Sequence, residues 1–344
     1  MLETPPPVGT DSDASLSPPI FAPRTKPHDP VIAEVKPETS KLPRWLRLPN
    51  GVSWRRVRWA VTFTIAALHA AALLAVLPYF FSWTGVALAI LGVYVFGTLG
   101  INICYHRLLT HRSFKTPVWL ERTFAILALC CLEGSPPSWV ANHRQHHQHS
   151  DHEPDPHSPV VAFLWSHVGW MLVENRDVND MSTMTRYARD IFQDPFYYAL
   201  TKKNLWLLAY PLHAALFFLA GFGVGYAWDG TSGAALQLGF SWIVWGVLVR
   251  TILVWHITWS VNSLTHLWGY RNYETNENSR NNWLVGLLAN GEGWHNNHHA
   301  DQRSAAHGHR WYEFDVTYLT ILFLKQIGLA TNIIQPRKKP GQRH

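Results

Sequence analysis

The sequence predicts an all-α integral membrane fold, with four transmembrane helices beneath a helical cap on the cytoplasmic side. Three observations predict it. The apolar residues, 47% of 344, fall in long runs. The Lys and Arg residues cluster outside those runs and outside the shortest connections between them. Thirteen of the 20 His lie in three short windows that follow or separate the runs.

Four stretches are long and apolar enough to cross a bilayer, which requires about 20 residues per helix. They are residues 57–81, 86–105, 205–226 and about 236–259. None contains an acidic residue, and one basic residue, Arg250, lies in the last third of the fourth stretch. Because a charge at that depth is costly, we expect Arg250 to face protein or the aqueous side and to have a specific use.

The two ends of the chain differ in composition from its middle. Residues 1–50 hold eleven of the 22 Pro and few large apolar groups, which predicts a disordered tail. No apolar segment with a cleavage site begins the chain, so the first stretch is predicted to be a retained anchor. We expect a membrane domain over residues 51–335 and a short basic tail over 336–344.

The distribution of basic residues predicts the orientation. The connections at 82–85 and 227–235 are short and contain no Lys or Arg. The basic residues other than Arg250 lie in residues 1–58, which end with Arg58 at the start of the first stretch, in residues 106–204 or in the C-terminal region. The positive-inside rule therefore places these three regions in the cytoplasm, in a multi-pass protein. The net charge of +6 indicates a basic face beside anionic lipid headgroups and not a nucleic-acid surface.

The three His windows all fall on that cytoplasmic side. They read HRLLTH from His106, HRQHHQHSDHEPDPH from His143 and HNNHHADQRSAAHGH from His295. On an α-helix, residues three and four apart share a face, so the three His of each HxxHH box are predicted to converge on one point. His106 and His111 are five apart, which fits one α-helical face poorly. Either a helix ends between them or they serve different ions.

Imidazole is a ligand suited to iron, zinc, copper and nickel. The eight His in these boxes exceed the needs of one ion, so two ions are predicted. The chain has only 3 Cys, which argues against an iron–sulfur cluster and favours a thiol-reduced, cytoplasmic setting. The boxes also lack the nearby Glu of a zinc protease motif.

The remaining His divide by position. His69 and His213 lie mid-span and are expected to hydrogen-bond to neighbouring helices. His266 follows the fourth stretch, with Asn262 one helical turn earlier, and is expected to reach a metal site from the membrane side. Five others are expected to support the site or to lie on the surface: His149, His152, His157, His307 and His309.

Residues 57–330 resemble the membrane-bound fatty acid desaturase family, in particular the stearoyl-CoA (acyl-CoA) delta-9 desaturase branch in its bacterial type. The resemblance is carried by HRLLTHRSF (106–114), WVANHRQHHQHSD (139–151), DPHSP (155–159), SHVGW (166–170), TWSVNSLTHLWG (258–269) and GEGWHNNHH (291–299), in order.

The resemblance implies a cytoplasmic cap that encloses a dimetal centre of two iron ions, Fe²⁺, held by nine His and by one Asn acting through water. Carried over by motif, these ligands are His106, His111, His143, His146, His147, Asn262, His266, His295, His298 and His299. It also implies that Trp139, Thr258 and Trp259 bind substrate, by shaping a kinked tunnel that selects the bond to be oxidised.

The implied activity is an O2-dependent acyl desaturase, which introduces a cis double bond, delta-9 in this branch, into a long-chain saturated acyl group. Acyl-CoA is the expected carrier. Two electrons are needed per double bond. The sequence has no flavin or dinucleotide glycine fingerprint and no haem-binding HPGG segment, so a separate donor, ferredoxin-like or cytochrome b5-like, is expected to dock on the cytoplasmic face.

Other interpretations stay open at this point. Animal acyl-CoA members have an Arg-Asp pair where this chain has Ala141 and Asn142. Bacterial and cyanobacterial relatives, some acting on glycerolipids, resemble this sequence there, so an acyl-lipid desaturase is the alternative. A sister lipid hydroxylase on the same scaffold is another. A metal transporter with His-rich loops would need ligands inside the spans, where only His69 and His213 were expected.

Overall fold

The computed structural model describes residues 47–337. Most of the predicted N-terminal tail, residues 1–46, and most of the basic tail, residues 338–344, lie outside the described residues. The boundaries predicted for the membrane domain, 51 and 335, both fall within the described part.

The prediction of four apolar helices long enough to cross a membrane is confirmed. Within the described residues they are Trp59–Val76, Trp83–Thr110, Leu205–Asp229 and Ser232–His266, which we call the first to fourth membrane helices. The second and fourth are longer than the apolar runs that predicted them, because the second continues into the first His box and the fourth continues to His266. The connection between the third and fourth is only Gly230 and Thr231.

Each membrane helix combines several helical segments. The first consists of α1 (Trp59–Ala72) and a 3₁₀ turn, Leu73–Val76, and a second 3₁₀ turn, Pro78–Phe80, follows it. The second consists of α2 (Trp83–Gly92) and a π-helix, Val93–Thr110. The π-helix has i→i+5 hydrogen bonds and so places residues five apart on one face.

Between the second and third membrane helices the chain forms a series of short helices and turns. They are α3 (Val118–Leu129), α4 (Pro136–His149), a π-helical turn (Trp165–Gly169), α5 (Trp170–Leu172), α6 (Arg176–Asn179), α7 (Met181–Tyr187), α8 (Arg189–Phe192) and α9 (Pro195–Lys202). The α4 helix carries the second His box.

The third membrane helix consists of a 3₁₀ turn (Leu205–Leu208) and α10 (Ala209–Asp229). The fourth contains α11 (Ser232–Ile243), a π-helical segment (Val244–Val249), α12 (Arg250–Ser263) and a final 3₁₀ turn (Leu264–His266). Three helices follow: α13 (Trp283–Leu288), α14 (His295–Ala300), which carries the third His box, and α15 (Val316–Gln326).

One small sheet departs from a purely helical fold. Strand β1 (Val52–Val57) pairs antiparallel with β2 (Val173–Asn175), and Ser53 lies opposite Glu174. The sheet joins the chain just before the first membrane helix to the segment that leads into α6. The few alternating residues of β1 gave no clear strand signal, since two strands this short gain their stability from each other.

The segment from α3 to α4 is a hairpin that lies beside the second membrane helix. The Cys104 thiol lies 3.6 Å from the carbonyl oxygen of Glu121, early in α3. A side chain on Gly100 would meet the backbone nitrogen of Ala128 at 2.6 Å, so the two helices touch there. The chain therefore descends along the second membrane helix, turns near Cys130–Gly134, and returns through α4 to the His boxes.

Candidate metal centre

The nine predicted His ligands converge into two groups. In each, the candidate ligand atoms all lie within 4.8 Å of one another. The first group is His106, His111, His143, His147 and His298; the second group is His146, His266, His295 and His299. These side chains come from the second membrane helix, α4, the end of the fourth membrane helix and α14. Residues more than 190 positions apart are thus joined at one place.

The five-residue spacing of His106 and His111 is explained by the π-helix. The His111 backbone N–H donates to the carbonyl oxygen of His106 at 3.1 Å, which is an i→i+5 bond. Both side chains therefore point to one side, and their ring centroids lie 4.8 Å apart in the first group. The helix ends at Thr110, directly before His111, so the first sequence-based alternative is confirmed. The second is wrong, because both rings belong to the first group.

The expectation that each HxxHH box converges on one point was wrong. His143 and His147 belong to the first group, whereas His146, on the same helix, belongs to the second. In the third box, His298 belongs to the first group, and its two partners belong to the second. Residues i and i+4 lie nearly one above the other, and residue i+3 lies to one side. Each box therefore links both groups and fixes their separation.

The nitrogen–nitrogen distances fit an ion at each group. In the first, the His298 Nε2 atom lies 3.1 Å from that of His106 and 2.9 Å from that of His147. In the second, the His295 Nε2 atom lies 3.1 Å from that of His266 and 3.0 Å from that of His299. Imidazole nitrogens about 2.1 Å from one ion and at right angles to each other would lie about 3.0 Å apart.

Hydrogen bonds alone cannot satisfy this arrangement. A ring nitrogen carries at most one hydrogen, so three converging Nε2 atoms leave lone pairs that face one another. In addition, the buried Nε2 atoms of His111 and His146 have no hydrogen-bond partner in the described part of the chain. Because buried nitrogens without partners are costly, the arrangement fits metal ligation at both groups.

Carboxylates behind the rings orient several of them. The Nδ1 atom of His106 lies 2.6 Å from Glu292 Oε2. In the second group, the corresponding atom of His146 lies 3.0 Å from Asp155 Oδ1, and that of His266 lies 2.9 Å from Asp151 Oδ2. A ring that donates its Nδ1–H to a carboxylate has its Nε2 lone pair free for a metal.

The electrostatics favour the neutral form of six of the nine rings. Burial lowers the pKa of His111, His143 and His147 well below 6.5, and neighbouring imidazoles lower it further. The pKa values of three other rings shift in the same direction for the same two reasons: His295, His298 and His299. Neutral imidazole is the form that binds a metal.

A buried charge network supports Glu292. Burial by itself would raise the pKa of Glu292, but the Arg107 guanidinium, His307 and His106 outweigh it and hold that pKa well below 4.5. The Arg107 side chain, 0% exposed, also donates to both carboxylate oxygens of Asp315 at 3.0 Å. Sequence reasoning missed these carboxylates. The signal that could have found them is that Glu292 and Asp151 lie inside or directly beside the His motifs.

The five His that were expected to support the site or to lie on the surface belong to neither of the two ligand groups. His157 lies beside Asp155 and His146, and His307 beside Glu292 and His106. The His149 Nε2 atom lies 3.3 Å from the Tyr187 hydroxyl, outside both groups. The remaining two also make contacts outside the groups: His152 with the carbonyl oxygen of Ser150, and His309 with the Tyr273 hydroxyl.

The mid-span His bond to neighbouring helices, as predicted. The His213 Nε2 atom accepts from Arg250 at 2.8 Å. The His69 Nε2 atom lies 3.2 Å from that of His256 on the fourth membrane helix. His256 therefore has to be added to the intramembrane His that the sequence suggested.

Trp139 and Thr258 meet at a buried carboxyl group that sequence reasoning did not identify. The Trp139 Nε1–H donates to Glu133 Oε2 at 3.2 Å, and the Thr258 hydroxyl donates to Glu133 Oε1 at 2.9 Å. The Trp139 ring stacks on His143 with 5.0 Å between centroids. Burial raises the pKa of Glu133 to about 7, and its two hydrogen bonds oppose that rise.

Trp259 lies apart from this pair, among other aromatic rings. It is 5% exposed and stacks on Trp255 at 5.5 Å between centroids. Its other ring neighbours are His69, His167 and His256. Asn262 lies one turn before His266, as expected, and its backbone carbonyl accepts from the Ser166 hydroxyl at 2.9 Å.

Known proteins are similar to this sequence over most of its length. The pattern of the family described as Fatty acid desaturase matches residues 81–316. An sn-1 stearoyl-lipid 9-desaturase of Synechocystis is 43% identical over 81% of this chain and 80% of its own length. A protein of Anabaena variabilis with the same name is 41% identical over 83% of this chain and 96% of its own length.

An icosanoyl-CoA 5-desaturase of Limnanthes douglasii is 38% identical over 94% of this chain and 90% of its own length. The family match covers well over half of the chain and includes all three His boxes. Together with four membrane helices and two groups of converging imidazoles, it assigns the chain: this protein belongs to the fatty acid desaturase family.

Proposed function

We propose that this desaturase introduces a cis double bond at the delta-9 position of a saturated long-chain acyl group, using O2 and two electrons. The observation that carries the proposal is the convergence of nine imidazoles into two adjacent groups in a member of this family. Removing hydrogen from an unactivated methylene is beyond any side-chain acid or base, so a metal oxidant must supply this chemistry.

We propose two iron ions, one in each group. The first ion would be held by the five rings of the first group. The second would be held by the four rings of the second group and by Asn262 through water. The neutral, all-imidazole donor set suits iron, and no thiolate takes part, since the free Cys residues are elsewhere. The side chains position the ions, and the carboxylates behind them fix the ring orientation.

A glycerolipid is the carrier we favour. The Synechocystis and Anabaena relatives are named as acting on stearoyl-lipid, and uncharged Ala141 and Asn142 stand where animal acyl-CoA members have a charged pair. Acyl-CoA, which the sequence comparison first suggested, is the second candidate, because the Limnanthes relative is named as acting on icosanoyl-CoA.

Bond selection is assigned to Trp139, Thr258 and Trp259, with Glu133 joining the first two. A saturated chain has no polar group along its length, so only shape and the distance to the metals can select one bond. Methylenes are about 1.3 Å apart along the chain, and a misplacement of about 1 Å can cost on the order of a hundredfold in rate. A bend beside the first His group would give one dominant product.

The electrons come from a separate donor, ferredoxin-like or cytochrome b5-like. We propose that all four membrane helices cross the bilayer, so that the cap and its His groups lie on the cytoplasmic side. The basic residues of the cap, among them the exposed Arg189 and Arg303, support this orientation. An electron-donor protein with an acidic surface would be attracted to such a face.

Expression in a desaturase-deficient host tests the function. Lipids from that host should gain a monounsaturated acyl chain whose double bond is delta-9, shown by mass spectrometry after derivatisation. Analysis of glycerolipid positions after a pulse of labelled acyl-CoA distinguishes the two carriers. A hydroxylated chain in place of the alkene would identify a sister lipid hydroxylase and overturn the proposal.

A further inference from the structure

The turn between α3 and α4 lies at the depth of the second and fourth membrane helices, where backbone groups without partners are costly. Three carbonyl oxygens of this turn accept hydrogen bonds from side chains of those two helices. Arg250 Nη1 donates to Cys130 at 2.9 Å, Trp255 Nε1 donates to Cys131 at 2.6 Å, and the Tyr105 hydroxyl donates to Gly134 at 3.3 Å. The turn is therefore held by the membrane helices.

Arg250 makes the most extensive of these contacts. It is 0% exposed, and within residues 47–337 no carboxylate lies within ion-pair distance of it. Its charge is balanced by neutral partners: the Cys130 carbonyl, the His213 Nε2 atom at 2.8 Å and the face of the Phe96 ring, 4.3 Å from the guanidinium carbon. A cation at the end of α3 is also favoured by that helix's dipole.

The turn held in this way carries Glu133, three residues after Cys130. Glu133 is the group on which Trp139 and Thr258 both depend, through bonds of 3.2 and 2.9 Å. A shift of the turn would move this carboxyl group, and with it the Trp139 ring that lies against His143.

Resting on the proposed function, we infer that Arg250 is a positioning residue for bond selection: it holds the Cys130–Gly134 turn so that Glu133 sets Trp139 and Thr258 at the acyl chain. Arg250 itself touches neither His group. Its charge within a membrane helix, costly in isolation, thus has a use that the sequence suggested but could not specify.

The test compares Arg250→Lys and Trp255→Phe with the wild type and with Arg55→Lys, a matched change at an exposed position before the first membrane helix. Lysine keeps the charge but cannot reach the Cys130 carbonyl and His213 together. Both turn variants should retain bound iron. They should lower turnover by about tenfold or more and place part of the double bond at neighbouring positions, as a misplacement of about 1 Å predicts. The Arg55 control should match the wild type.

A double-mutant cycle sharpens the inference. If Arg250 acts through Glu133, then Arg250→Lys should change the product distribution little in a Glu133→Ala background. A single unchanged product from both turn variants would overturn the inference. Loss of iron or of folded protein in step with activity would also overturn it, since Arg250 would then only stabilise the fold. A wild type that makes no double bond would instead overturn the proposed function.

Discussion

The candidate metal centre and the proposed bond-selecting region lie side by side but are held in different ways. Each His group is built from several helices, and carboxylates behind its rings hold some of them in orientation. Several independent contacts therefore position each group. Trp139 and Thr258 share one carboxyl group, through one hydrogen bond each. The difference teaches that damage to the first region should remove metal and activity together, whereas damage to the second should change the product and leave the metal in place.

The largest effect is expected when a ring of the metal centre is lost. His147→Ala and His298→Ala should each abolish desaturation and lower bound iron from two ions toward one, because each removes a nitrogen from the first group. Iron and turnover have to be measured on the same purified sample. The matched changes His149→Ala and His309→Ala should retain substantial activity, since both rings lie outside the groups. Equal loss in all four would show that the groups do not define the site.

A smaller effect is expected from the carboxylates behind the second group. Asp155→Asn weakens the hydrogen bond that orients His146 and should lower iron affinity or activity by about 10- to 100-fold. Asp229→Asn, at an exposed position, serves as the control. Iron titration of the metal-free protein should show one weakened site and one unchanged site. Two equally weakened sites would contradict separate support for the groups.

The bond-selecting region should respond differently. Trp139→Ala should lower activity and give a mixture of double-bond positions, because the proposed limit on the acyl chain, the ring stacked on His143, would be gone. Bound iron should stay at the wild-type level. Product positions are read by mass spectrometry and iron by elemental analysis. Loss of iron would assign Trp139 to support of His143, and an unaltered single product would remove it from the tunnel.

The smallest effect is expected from the charge of Glu133. Since burial raises the pKa of its carboxyl group to about 7, the group is protonated below that pH and ionised above it. The ionised form accepts from both Trp139 and Thr258, so product selectivity should sharpen as the pH rises between about 6 and 8. Because folding raises this pKa from 4.5, the group's contribution to folding stability is fully present below pH 4.5 and is lost as the pH rises to about 7.

Glu133→Gln removes the titration while keeping the size of the side chain. Its selectivity should therefore be nearly independent of pH over that range. The products of the wild type and of the variant should be compared at each pH at equal iron content. A wild-type selectivity as flat as that of the variant would show that the charge of Glu133 has no part in bond selection.

The sequence by itself determined the four membrane helices and the residues that supply imidazoles. Long apolar runs can be stable only in lipid or a core, and HxxHH spacing places three His on one helical face. Both features depend on residues close together in the sequence, so they can be recognised without the structure. Of the predicted substrate residues, Trp139 and Thr258 were found together, whereas Trp259 lies among other rings. The small sheet and the turn at membrane depth had no comparable local signal.

Only the tertiary structure decided how the imidazoles divide between two groups. Local spacing predicted one convergence point for each box. In the fold, His146 lies with rings from the fourth membrane helix and α14, apart from His143 and His147. The π-helix, which brings His106 and His111 together, depends on backbone hydrogen bonds that composition does not reveal. Likewise, the sequence marked Arg250 as a costly charge but not its contacts, and it gave no signal for Glu133, because the partners of both residues are brought near only by packing. Periodicity is set by neighbours along the chain, whereas a metal site and a buried charge are set by neighbours in space.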